Sequence, residues 1–253
     1  MSDDQAARHP GDQLPRALPA LLPLGLDGVL ARFDSAFTPE ANRAARAFAA
    51  EAARLPGVTD LVPALASTLV RFDPLADDRA DILSRLQGLL SSRDWLALPE
   101  AAPLRRWHLP VSFDGEDAPG LAQAAAATGQ DPARAVEDVL SAAPRVLAIG
   151  FAPGQPYLGL LPEPWDFPRQ AALSDVPAGA LTVAIRQLVL FTNPSPTGWL
   201  QIGRSSFRPF QPGAADPMPL RSGDEIRFHR VSSTELSALD DSPLGGARME
   251  VLS

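Results

Sequence analysis

Three histidines, His9, His108 and His229, are the side chains best suited to proton transfer or metal binding, and they lie far apart along the chain. An HxH or HExxH pair needs two imidazoles on one face of a single element, and no such spacing occurs. His108 and His229 each fall inside an expected strand, where a structural or exposed role is the simplest reading. Cysteine is absent, which removes disulfides, thiolate metal sites and a cysteine nucleophile. All 22 cationic side chains are arginines. Without lysine the chain cannot build a P-loop, a Schiff base or a Ser-Lys nucleophile pair, since each needs an ammonium on a flexible stem. No GxSxG elbow appears and no GxGxxG opens a helix; the nearest run, Gly154 to Gly159, lacks the Lys-Ser/Thr that a phosphate loop requires. The sequence therefore points to no metal site and to no catalytic residue.

What the chain offers instead is a set of turn-dense segments: GFAPGQPYLG (Gly150 to Gly159), VPAG (Val176 to Gly179), NPSPTGW (Asn193 to Trp199) and IGR (Ile202 to Arg204). Polar side chains on rigid Pro/Gly turns at a barrel rim lose little entropy on binding, so such loops often carry sites. Turn closure alone also selects Pro and Gly.

The elements that must position these segments follow from periodicity. Residues 1–17 carry Pro, Gly, Asp and Gln without pattern and read as a mobile leader. Val29, Ala31 and Phe33 alternate with Leu30, Arg32 and Asp34 as a half-buried strand does. Thr38 before Pro39 supplies a helix cap and an N1 proline, and apolar residues then recur at helical spacing to the Pro56-Gly57 stop. Val58 to Leu65 and Thr68 to Phe72 read as strands, and Arg79 to Leu90 as a second helix. Strand, helix, strand, strand, helix suggests a ferredoxin-like α+β domain over 18–100, ended by the Pro-containing break from Leu98 to Pro103. Beyond it, Trp107 to Phe113 reads as a strand, and Leu121 to Thr128 and Pro132 to Ala142 as short helices. Short apolar runs then recur from Val146 to Val231, split by Gly and Pro, which indicates a compact β-barrel domain over 104–253. The stretch from Ser232 onward carries too little pattern to assign.

Net charge of −8 and no basic run argue against nucleic acid and anionic lipid as partners. No stretch reaches the roughly 18 to 20 apolar residues of a membrane span, and the polar start is unlike a signal peptide. A cytoplasmic protein is the expectation.

The turn-dense segments are similar to the hallmark stretches of the KipI-like family of 5-oxoprolinase B-type subunits, also called allophanate hydrolase subunit 1, which read GFLPGFPYLG, VPAGSVAIAGGQ, SPGGW and IGRT. Here they stand as GFAPGQPYLG, VPAGALTVAIRQ, SPTGW and IGRS in the same order, and VPALASTLVRFDP (Val62 to Pro74) resembles VPAYASLLVRYDP upstream. The likeness covers Leu18 to Val231. It implies an N-terminal ferredoxin-like domain and a C-terminal cyclophilin-like barrel. It also implies a hetero-oligomer with a cyclophilin-like C-type partner and an A-type partner, which together open the lactam of 5-oxoproline to glutamate with ATP. The ATP would be bound by or shared with the partners, and the isolated chain would be inactive. Within this resemblance the candidate substrate cleft is formed by Tyr157, Gln187, Ser195 and Arg204. An arginine can hold a carboxylate through two bonds, and an amide or hydroxyl can bond a lactam or a developing oxyanion. Arg204 in a rim ion pair is the structural alternative. Pro153, Gly154, Pro177, Gly179 and Trp199 are assigned to the barrel rim or an interface with a partner.

The chain departs from the family pattern at several places. Gln155 replaces Phe, Ile185-Arg186 replaces Gly-Gly, Thr197 replaces Gly, and the helix before the GF motif lacks the family's histidine. The same resemblance allows a KipI-like inhibitor of a sensor histidine kinase, or a hydrolase component that works on allophanate or a urea-derived amide. A barrel like that of cyclophilin does not by itself carry prolyl isomerisation.

Overall fold

The computed structural model describes residues 18–252, and contacts divide the chain after Pro99 into two compact units. The expected leader 1–17 and His9 lie outside the described residues.

The first unit is a four-stranded antiparallel sheet with two helices. Its elements are β1 (Ala20–Leu24), β2 (Gly28–Arg32), α1 (Pro39–Ala52), β3 (Val58–Pro63), β4 (Ser67–Phe72) and α2 (Arg79–Leu90), and the strand order is β1-β2-β4-β3. Helix α1 starts where Thr38 Oγ1 accepts the Ala41 N–H at 3.1 Å, with Pro39 in the first turn. Asp78 caps α2 in the same manner. Along β4 the period of two is strict: Thr68, Val70 and Phe72 are buried while Ser67, Leu69 and Arg71 are half-buried. The buried face meets Ala41, Ala44, Ala45 and Phe48 of α1 and Ile82 and Leu86 of α2. Phe33, Phe48 and Trp95 form an aromatic cluster with centroids 5.3 to 6.5 Å apart, and the Trp95 indole donates to Leu90 O at 2.9 Å. Strand β1 has no counterpart in the sequence reading. Its run ALLPL has no alternation and contains Pro23, which only an edge strand tolerates.

The second unit is a closed barrel. Its strands are β5 (Arg105–Ser112), β6 (Arg145–Ile149), β7 (Pro156–Gly159), β9 (Ala180–Ala184), β10 (Gln187–Leu190), β12 (Leu200–Arg204) and β13 (Glu225–Val231). The ring runs β12-β9-β10-β7-β6-β13-β5 and closes where Arg204 of β12 pairs with Ser112 of β5. All neighbours are antiparallel except β13 and β5, which run parallel. A last strand, β14 (Arg248–Val251), lies along the first half of β5. Inward residues alternate along four of the strands: Trp107, Leu109 and Val111 on β5, Leu181 and Val183 on β9, Leu188 and Leu190 on β10, Ile226 and Phe228 on β13. Helices α3 (Leu121–Ala127) and α4 (Pro132–Ser141) add Ala124, Ala125, Ala135, Val136 and Val139 to the same core. A two-stranded ribbon, β8 (Ser174–Val176) with β11 (Ser195–Thr197), stands apart from the ring. The stretch left unassigned after Ser232 holds β14 and a short helix, α5 (Ser233–Ser237), opened by a Ser232/Glu235 capping box.

The β9–β10 hairpin turns on Ile185 (φ 45°) and Arg186 (φ 62°), both left-handed. A two-residue turn of this kind prefers glycine or asparagine, and the resembling motif has Gly-Gly there. Left-handed non-glycine residues cost about 1 to 3 kcal/mol each unless the surroundings hold them. Here the hold is explicit: Ile185 N donates to Phe167 O at 2.8 Å, Arg186 N to Trp165 O at 3.0 Å and Arg186 Nε to Leu161 O at 2.9 Å.

Candidate functional site

Residues of β7, β9 and β10 that point away from the barrel interior would normally face water. Instead Ala180, Ala184, Val189 and Phe191 form a second apolar cluster with Val176 of the ribbon and with Trp199, and Tyr157 packs against it. The register places Tyr157 directly beside Val189. Between this outer face and the ribbon lies a pocket of about 200 Å³. Gln155, Tyr157, Phe191, Thr197 and Trp199 line it, with Arg169 contributing the only charge. The lining residues Phe151 and Leu173 are 81% and 68% exposed.

Two of the turn-dense segments, Gly150 to Gly159 and Asn193 to Trp199, supply lining residues of this pocket. The turn from Gly150 to Gln155 closes through Gly150 N to Gln155 O at 3.0 Å and Gln155 N to Ala152 O at 3.1 Å. Gly154 sits there at φ 71°, and a Cβ would stand 2.5 Å from Pro209 O, so only glycine fits. Phe151 in the same turn is left-handed at φ 70°. Its side chain is mostly solvent-exposed, so burial does not offset the strain, and such outliers gather at ligand sites. On the opposite wall, Gly198 packs against the Gln170 carbonyl, where a Cβ would collide. Gln170 N donates to Gly198 O at 2.7 Å and Trp199 N to Thr197 Oγ1 at 3.2 Å. These contacts set the Trp199 ring edge-on to Tyr157, with centroids 6.3 Å apart and planes at 75°.

Burial raises the Tyr157 phenol above its ordinary value, with the Gln155 hydrogen bond and the Arg169 charge acting in the other direction. Tyr157 is the single tyrosine of the chain and stays neutral in any ordinary buffer. Arg169 makes no hydrogen bond or ion pair among the described residues.

The four residues expected to share one cleft are separated. Tyr157 lines the pocket. Ser195 sits beside the lining residue Pro196 on β11, and its hydroxyl donates to Asn193 O at 3.4 Å. Gln187 lies on the same face of β10 as Val189 but two residues before it, 2% exposed and outside the lining. Arg204 is committed elsewhere: its Nε donates to Asp117 Oδ1 at 2.6 Å. The physical reason is strand geometry, because β12 crosses the barrel and carries Arg204 to the closure with β5. Ser233 Oγ donates to the other Asp117 oxygen at 2.7 Å, Ser112 Oγ lies 3.2 Å from Ser233 Oγ, and Gln201 Nε2 donates to Asp117 O at 2.8 Å. Burial opposes the Asp117 charge, but the Ser112, Arg204 and Ser233 hydrogen bonds outweigh it and hold the carboxyl below its ordinary value. Among the residues assigned to rim or interface, Pro153 and Pro177 are exposed in turns, Gly154 and Gly179 are buried, and Trp199 lines the pocket.

One grouping was invisible in the sequence. His108 Nδ1 and His229 Nε2 lie 2.7 Å apart, and Glu250 Oε2 is 3.2 Å from His108 Nε2, on the outer face of β5, β13 and β14. Parallel pairing of β13 with β5 and antiparallel pairing of β14 bring the three together. Among the described residues no group of three or more His, Asp or Glu side chains is arranged to hold a metal ion.

The family model for the carboxyltransferase domain, subdomain C and D, matches residues 19–220. The 5-oxoprolinase B subunit of Escherichia coli O157:H7 is 34% identical over 176 residues, spanning 69% of this chain and 78% of the relative. The chain belongs to the family of 5-oxoprolinase B subunits. The family member of Bacillus subtilis (strain 168), also a 5-oxoprolinase B subunit, is 26% identical over 85% of this chain and 94% of its own length. Among solved structures, TTHA0988 superposes with a TM-score of 0.66 at 32% identity, over 81% of this chain. This family member spans 40% of the length of that solved chain.

Proposed function

We propose that this chain is the B-type subunit of an ATP-dependent 5-oxoprolinase and helps to open the lactam of 5-oxoproline to glutamate together with the A-type and C-type subunits. The observation that carries the reading is the 34% identity over most of the Escherichia coli relative, in a chain two of whose family-like segments line one pocket. On this reading the barrel is cyclophilin-like. The first unit is ferredoxin-like with one edge strand re-sourced: β1 arrives from the N-terminal side, where a strand after α2 would otherwise stand.

A nucleoside triphosphate is not matched by the lining of this pocket. The pocket of about 200 Å³ offers one cation for three phosphates, and the chain has no lysine for a P-loop. ATP is therefore assigned to a partner, and the isolated chain is inactive. Co-expression with the A-type and C-type proteins of the same organism tests this, with ATP-dependent glutamate release from 5-oxoproline as the readout. Turnover should require all three chains. Full-rate turnover by the other two without this chain, or an assembled complex inert toward 5-oxoproline, would overturn the reading.

A further inference from the structure

We propose that β14 is the contact strand of a symmetric dimer, in which two copies of this chain pair β14 with β14 antiparallel and set the two Met249 residues opposite one another. The dimer goes beyond the 5-oxoprolinase reading and does not rest on it.

Strand β14 pairs with β5 on one side and with no strand on the other, and all four of its residues are exposed. Leu252 N donates to Leu104 O at 2.9 Å. Main-chain groups alternate along an antiparallel pair, so Arg248 and Glu250 also turn theirs toward β5, whereas Met249 and Val251 turn N–H and C=O outward. Edges of this kind are normally guarded. In the first unit, β1 carries Pro23, and β3 carries a bulge between Val58 and Asp60 and ends on Pro63. The ribbon strands are three residues long. Strand β14 has neither proline nor bulge, and it leaves Met249 43% and Val251 72% exposed.

The charges of β14 select a second copy as the occupant. A twofold axis perpendicular to a sheet must pass between two identical residues, because directly opposite residues share a face and faces alternate along each strand. Centring the axis on Arg248 or on Glu250 sets like charges opposite each other, which destabilises the pair. Centres on Ala247 or Val251 leave the charges unmatched. Centring it on Met249 sets Arg248 of each copy against Glu250 of the other. The two methionines then exchange both main-chain hydrogen bonds, and each Arg248–Glu250 pair falls at a non-hydrogen-bonded position, where side chains approach most closely. Arg248 has no hydrogen bond or ion pair among the described residues. Glu250 keeps half its side chain exposed beside Arg106 and His108, open to an arginine from the other copy.

Sedimentation of the full chain from micromolar to millimolar concentration should show a monomer–dimer equilibrium. Met249→Pro removes the outward N–H but no bond to β5, and should weaken the dimer by about tenfold or more. Arg248→Glu and Glu250→Arg should each abolish it. Mixing the two variants should restore it, since one then carries two acids and the other two bases at facing positions, and restoration shows that both were folded. The chain has no cysteine, so a single introduced thiol cross-links only between copies. Met249→Cys should oxidise to a linked dimer, because facing Cα atoms stand about 5.5 Å apart. Val251→Cys should not, because its twin lies four residues along the strand, roughly 14 Å away. A chain that stays monomeric throughout, a dimer untouched by the charge variants, or a cross-link at Val251→Cys and not at Met249→Cys overturns the proposal. So does a monomer whose Met249→Pro variant loses only assembly with the C-type protein, which would give the edge to a strand of that partner.

Discussion

Arg204→Ala and Asp117→Ala, singly and together, decide whether Arg204 belongs to the architecture of the barrel or is free to hold a ligand. Asp117 is 8% exposed and accepts Arg204 Nε at 2.6 Å and Ser233 Oγ at 2.7 Å. Hydrogen bonds to a charged group contribute about 1.5 to 3 kcal/mol each. Water at the barrel end recovers part of this, since the Arg204 side chain is 22% exposed. Asp117→Ala should therefore cost about 2 to 4 kcal/mol. Arg204→Ala loses one of the two bonds and leaves Asp117 with its serine donors, so it should cost about 2 kcal/mol. The two changes remove the same interaction, and the double variant should fall short of their sum by about 1 to 2 kcal/mol. Urea unfolding of the four proteins at neutral pH measures this. Additivity within about 0.5 kcal/mol would refute the reasoning and return Arg204 to the list of ligand contacts. A pH series adds a sign. The Asp117 carboxyl is held below its ordinary value of 3.8, so its contribution is present above that pH and lost as pH falls through the lowered value. Asp117→Asn should flatten the acid limb of the stability curve below about pH 4. Loss of turnover in Arg204→Ala alone would report instability before it reported substrate contact.

Other outcomes follow from the same geometry. Gly198→Ala drives a Cβ into the Gln170 carbonyl and should cost about 1 to 3 kcal/mol, read as a lower thermal midpoint together with a shifted Trp199 indole signal. Phe151→Gly removes the left-handed strain of a mostly exposed residue; stability should hold or rise by up to about 1 kcal/mol in urea unfolding. Burial, His108 and Arg248 together hold His229 below its ordinary value of 6.5. The unfolded chain then binds more protons between that lowered value and 6.5, so acidification through this window destabilises the native state. Glu250, which reaches His108, and Arg106, which reaches Glu250, belong to the same surface. His229→Gln should make the loss of stability between about pH 7.5 and 5.5 shallower in parallel melts.

Local rules were enough for the elements whose reasons are local. Thr38-Pro39 marks the start of α1 because a hydroxyl cap and an N1 proline act within one turn, and the strict alternation of β4 and the apolar run of β13 reveal which face is buried. The lack of lysine and cysteine likewise excluded whole chemistries before any fold was known. Strands of three to five residues rich in Pro and Gly carry too short a period to register, which is why β1, β7, β8 and β11 emerge only from their neighbours. The site shows the same division. The turn-dense segments stood out by composition, but their choice of partners did not. Closing the barrel took Arg204 to Asp117, 87 residues away. The same closure brought His108 to His229 across 121 residues and to Glu250 across 142. Arg169, in a stretch without pattern, reached the pocket because the segment around Gln170 packs on Gly198 beside Trp199. Sequence spacing encodes what one helix turn or one strand pair can see, whereas which distant side chains meet is set by strand order and register, which exist only once the sheet has closed.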